Sequence, residues 1–186
     1  MMHRILPVVL MFSLLSFKKD SENIPWQADR KLEWTDFRSK PDKSSSFFAS
    51  TAYAVDCETE WEGRKLVFHI TCSMQPSASW VKKEAASAYL LGHEQLHFDI
   101  AEWFTRQLRS DLAAAKFTGK NRDKLFREIT DRNSKEREDV QRKYDSETRH
   151  SLNEVKQGEW ERRVKEELSK LEEFASQNFS VEINSR

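Results

Sequence analysis

The chain has 186 residues, 38% of them hydrophobic with 12 Phe and 6 Trp, which is enough for one domain with a core of its own. Lys and Arg total 31, and so do Asp and Glu, so no net field draws the chain to nucleic acid or to an anionic membrane surface. Nucleic-acid binding is set aside on that ground.

The chain opens with a short basic stretch, Met1-Met2-His3-Arg4, followed by an almost unbroken apolar run over residues 5–17. That pattern predicts a signal peptide over residues 1–19, since the run is too short to span a bilayer comfortably and the chain turns polar after Lys18. No clear small-residue cleavage site follows it, and a buried N-terminal helix is the competing reading. Export implies a secreted or periplasmic protein with no stable membrane span after the signal is removed, and a single domain over residues 20–186.

Residues 20–46 are polar and broken by Pro25 and Pro41, with one aromatic cluster, Leu32-Glu33-Trp34-Thr35-Asp36-Phe37, expected as a short strand or turn packed on the body. Residues 47–59 and 65–74 alternate with a period near two and are separated by Glu62-Gly63, which predicts an antiparallel hairpin. Cys57 and Cys72, the two cysteines of the chain, fall at core-facing positions of these strands. A cross-strand disulfide and two buried free thiols look alike at this level.

After Pro76, Ser77 or Ser79 is placed to cap a helix beginning near Trp80 and running to Phe117, with Gly92 as a point of kinking. No proline occurs beyond Pro76, so everything downstream is expected to be helix or loop. A charge-rich helix is expected over residues 121–144 and another over 153–177, the latter with Trp160, Val164, Leu168, Leu171 and Ala175 at helical spacing. The whole predicts an α+β fold in which an N-terminal hairpin or small sheet packs on one long helix, followed by charged C-terminal helices.

The chemistry lies in His93-Glu94-Gln95-Leu96-His97. Four residues apart on a helix, His93 and His97 share one face a turn apart and can reach one metal ion, with Glu94 beside them. A zinc ion held this way keeps a position for water, and Glu94 accepts the proton of that water and later passes it to the leaving group. The same face carries Tyr89, Ile100, Ala101, Phe104 and Leu108, which removes the histidines from bulk solvent. Two hydrogen-bonded core histidines are the plainer reading of the same pattern.

A third ligand must come from elsewhere, because Asp99 points about 200° and Glu102 about 140° around the helix from His97. His150 leads the candidates in the segment from Tyr144, with Asp145, Glu147 and Glu154 competing. Tyr144 reads as a buried anchor of its helix end or as a donor to a developing oxyanion. A substrate lying extended along an exposed strand edge near the metal is a further expectation, motivated by the strands that precede the motif.

Leu32-Glu33-Trp34-Thr35-Asp36-Phe37, the strand around Ser50-Thr51-Ala52-Tyr53, the run Gly92 to Ile100 and Tyr144-Asp145-x-x-Thr148-x-His150 followed by Trp160 together resemble a bacterial family of predicted secreted zinc-dependent proteases, zincin-like in the helix motif. The resemblance covers most of the chain beyond residue 19. It implies one zinc ion bound by His93 and His97, Glu94 as general base, His150 completing the site, and a peptide or protein as substrate. Two other functions compete: a periplasmic metal-binding module without turnover, and a helical interaction module built on the charged helices after residue 121.

Overall fold

The structure, a computed structural model, describes residues 23–183; the expected signal peptide lies outside them. The fold is α+β. Its centre is the hairpin of β3 (Tyr53–Glu62) and β4 (Lys65–Met74), in register from Tyr53 opposite Met74 to Glu62 opposite Lys65. Gly63 turns the corner at φ 61°, a left-handed conformation that glycine adopts without a side-chain clash.

Alternation on β4 sends Leu66, Phe68, Ile70, Cys72 and Met74 to one face, where none is more than 4% exposed. Burial of each such large apolar side chain contributes about 1.5–3 kcal/mol, so this face decides where the helices dock. Onto it packs α1 (Ala88–Ala114), through Phe98 and Ala101 near Met74 and through Leu108 and Leu112 near Phe68 and Ile70. Cys57 and Cys72 are free thiols: Cys57 stands opposite Ile70 and Cys72 opposite Val55, so they are not paired across the ladder.

Two expectations about element boundaries are overturned. The helix does not begin at Trp80. The Ser79 hydroxyl is buried in a turn, donating to the Gln75 carbonyl at 2.8 Å and accepting the Ala52 N–H at 2.9 Å, and is spent there instead of capping a helix. Trp80 and Val81 form β5 (Trp80–Val81), paired with β2 (Ala49–Ser50), so the predicted first strand is split at Thr51-Ala52. The cap of α1 is Ser87, whose hydroxyl accepts from the Leu90 N–H at 3.1 Å, and Gly92 lies inside a continuous helix.

The second correction is at the far end. The predicted last helix stops early: α3 (Glu154–Lys170), capped by the Asn153 side chain, gives way to a 3₁₀ turn at Glu172–Phe174 and then to β6 (Asn178–Glu182). The reason is a free edge. β4 pairs β3 along one side, while its other side is taken by β1 (Ile24–Pro25) against Met74 and Ser73 and by β6 against Lys65 to His69. Phe179 stacks on Phe68 with ring centroids 5.0 Å apart, which gives that pairing a core contact. Strand therefore occurs downstream of Pro76 at β5 and β6.

α2 (Arg122–Thr148) runs one turn past its predicted end and packs across α1 and α3, while Leu32 and Phe37 bury the N-terminal aromatic cluster as a 3₁₀ turn at Trp34–Asp36. A buried Arg109 fastens the layers: its guanidinium donates to the Ile70 carbonyl on β4, to the Phe174 carbonyl beyond α3 and to Glu102 on α1, each at 2.9 Å. Asp99 accepts from the Trp26 indole at 2.7 Å on the opposite side from the histidines, and Glu102 is occupied with Arg106 and Arg109. The prediction that neither serves the metal face is consistent with these contacts.

Candidate metal centre

α1 and α2 cross at the histidine motif, and the crossing brings three donors together. Nε2 of His93 lies 3.2 Å from Oδ1 of Asp145, and Nε2 of His97 lies 3.1 Å from the same oxygen. These are the three side chains among the described residues whose ligand atoms gather within 4.8 Å of one another. His93 is buried and His97 and Asp145 are partly so, at the floor of a cleft of about 240 Å³.

The other nitrogen of each ring faces an amide oxygen: Nδ1 of His93 is 3.1 Å from Oε1 of Gln157, and Nδ1 of His97 is 2.6 Å from Oε1 of Gln141. An amide oxygen only accepts, so both rings hold a proton on Nδ1 and, when neutral, turn the Nε2 lone pair inward. Two imidazole lone pairs then converge on a carboxylate oxygen. Such a meeting is repulsive unless a cation or an added proton sits among the three atoms.

The electrostatics report the same demand. Burial alone lowers the His97 pKa, yet its hydrogen bond to Asp145 and the charges of Glu94 and Asp145 raise it above the ordinary value of 6.5. Burial pushes the Asp145 carboxyl up, but hydrogen bonds from His93 and His97 and their charge hold it well below the usual carboxylate range. The donor set fits a small divalent ion. Ligand atoms about 2.0–2.1 Å from one zinc ion stand roughly 3.3 Å apart in a tetrahedral arrangement, close to the two separations seen here.

Glu94 is buried beside the triad, and its Oε2 accepts from the Thr51 hydroxyl at 2.7 Å, across the cleft from the loop between β2 and β3. Tyr144 is fully buried and donates to Oε1 of Gln157 at 2.7 Å, with its ring stacked on His93 at 4.7 Å. It is the anchor of the two expected roles. His150 follows α2 in a run of left-handed residues, Arg149, His150 and Ser151, at φ 51°, 52° and 70°. Half exposed, it places Nδ1 3.5 Å from Oδ1 of Asp145 at the cleft mouth. It is therefore beside the three-donor cluster, not within it, and the oxygen of Asp145, one of the competing carboxylates, completes that cluster.

Glu147 is engaged elsewhere, accepting the Trp160 indole N–H at 2.9 Å, and Glu154 opens α3. Sequence reasoning missed Gln141, Gln157 and Thr51. Gln141 carries a readable signal, since it lies four residues before Asp145 and thus one turn away on the same face. Gln157 and Thr51 come from separate elements, and only the fold brings them in. Residues 47–51 and Tyr53 line the cleft, so β2 and the start of β3 reach the site. No family model, curated protein or solved structure matches the chain.

Proposed function

We propose that the chain is a zinc-dependent hydrolase of amide bonds, a peptidase, with His93, His97 and Asp145 holding the ion and Glu94 serving as general base. The observation that carries this reading is the convergence of three electron-rich atoms, each ring locked from behind by a glutamine, with a buried carboxylate beside them in an open cleft. The ion, when bound, polarises the substrate carbonyl and lowers the pKa of a water towards neutrality.

Glu94 would accept the proton of the water that attacks the carbonyl carbon. The C–N bond then breaks, and Glu94 returns its proton to the departing amine. Thr51 holds the Glu94 carboxylate towards the cleft while this happens. No Lys or Arg among the described residues lines the cleft to hold a phosphate, which favours a neutral bond such as an amide over a phosphoester. The resemblance to secreted zinc-dependent proteases supports the same reading and, with the N-terminal apolar run, an exported location.

Glu94→Gln is the test. It is expected to keep about one zinc ion per chain and to lose hydrolysis of an unfolded protein substrate by roughly 10²–10⁴-fold, with chelation abolishing and zinc restoring the wild-type rate. Undiminished turnover in Glu94→Gln, or a wild-type protein that takes up no zinc, overturns it. Zinc uptake with no turnover in the wild type assigns the chain to the non-catalytic metal-binding class.

A further inference from the structure

Large apolar side chains that the fold leaves exposed stand at the mouth of the cleft and close in the chain to its lining residues. Phe47 and Phe48, each 45% exposed, line it, and the Phe47 ring lies 4.7 Å from the ring of His150. Leu152 and Val155, at 66% and 73%, follow His150 into the first turn of α3. Tyr89 stands in the first turn of α1 beside Leu90, another lining residue. Gln157, in the first turn of α3, reaches His93 on α1, so the start of α3 lies against α1.

Single exposed apolar residues are ordinary, but two neighbouring exposed rings lining one cleft, with others close in the chain to its lining residues, mark a binding surface. Trp61, at the tip of the hairpin, is the exposed aromatic that stands apart from the group.

The geometry points to an extended polypeptide with a bulky apolar side chain beside the scissile bond as the preferred substrate, that side chain being received by Phe47, Phe48, Tyr89, Leu152 and Val155. This rests on the hydrolase reading above and narrows it. Three observations select this occupant. Phe47 and Phe48 line the metal cleft itself, so what they grip is delivered to the chemistry. The cleft, at about 240 Å³, is smaller than the roughly 300–1,000 Å³ of small-molecule pockets and has room for about one residue. No Lys or Arg among the described residues lines the cleft to pair with an acidic side chain, which leaves apolar contact as the main source of affinity.

The test measures binding apart from turnover. Zinc-loaded Glu94→Gln is titrated with peptides identical except for Phe, Gly or Asp at one position, with the binding heat as readout. The Phe peptide is expected to bind at least about tenfold more tightly than the other two. That preference should fall to roughly threefold or less when Phe47→Ser and Phe48→Ser are added. Leu152→Ser with Val155→Ser, on highly exposed positions, gives a second reading if the first pair disturbs folding.

Equal binding of the three peptides, or a preference untouched by both pairs of changes, overturns the inference while zinc content and turnover leave the hydrolase reading standing. Failure to take up zinc overturns that reading itself. A chain that dimerises through these side chains, or binds neutral phospholipid vesicles through them without peptide preference, assigns the surface to another occupant and also overturns the inference.

Discussion

Gln141 grips His97 at both ends: its Oε1 lies 2.6 Å from Nδ1 of the ring, and its Nε2 donates 2.9 Å to the carbonyl of the same residue. One side chain of α2 thus fixes both the orientation of the ligand ring and its position on α1. Gln141→Leu is expected to keep the fold and to weaken zinc binding about 10–100-fold, measured by competition with a chromogenic chelator. Unchanged affinity would show that the ring needs no such support.

The assignment of Asp145 in place of His150 is separable by metal content. Asp145→Ala and His97→Ala are expected to lose zinc on dialysis, whereas His150→Ala retains it. The reverse outcome, with zinc lost in His150→Ala and kept in Asp145→Ala, would restore the three-histidine set that the sequence resemblance implies.

Metal binding and pH are linked through His97. Its pKa is raised above 6.5 in the metal-free protein by its contact with Asp145, so the stabilising ion pair is fully present below about pH 6.5 and is lost as pH rises through the raised value. Zinc needs the neutral ring, so the stabilisation it adds grows over the same range. Thermal unfolding with chelator and with zinc should therefore diverge above about pH 6.5, and parallel curves would argue against a shared site.

Thr51→Val removes the hydroxyl that bonds to Glu94 and leaves a side chain of similar shape. A fall in kcat of roughly tenfold is expected, with zinc content unchanged and KM little altered, and with Thr51→Ser restoring the rate. A loss confined to KM would place Thr51 in substrate binding.

Arg109→Met leaves the buried Glu102 carboxylate with Arg106 as its remaining partner and frees the carbonyls of Ile70 and Phe174. Destabilisation of about 3–5 kcal/mol in urea unfolding is expected, larger than for a surface ion pair. A cost below about 1 kcal/mol would show that the core reorganises to satisfy these groups.

Much of the site was legible because it is local. The spacing of His93, Glu94 and His97 needs only helical geometry, and the alternation in residues 65–74 is enough to predict the hairpin partner and its buried face. What failed was non-local. Ser79 looked like a cap until the Ala52 N–H claimed its hydroxyl, and residues 178–182 carried no mark distinguishing a strand that completes a distant edge. The choice between His150 and Asp145 is of the same kind. Both lie in one short segment, and an extra turn of α2 with a left-handed exit aims the aspartate inward and the histidine at the rim.

The two strands sharing the second edge of β4 come from opposite ends of the described chain, Ile24–Pro25 and Asn178–Glu182. During synthesis β4 is therefore complete roughly a hundred residues before the segment that covers its outer half, and pairing must wait for the last strand to arrive. Until then the edge beside Phe68 is open to any passing strand, including one from a second nascent chain. The sheet is the last part of the molecule to close, although its central hairpin is among the first to be made, and the interval between those events is when the chain is most exposed to mispairing.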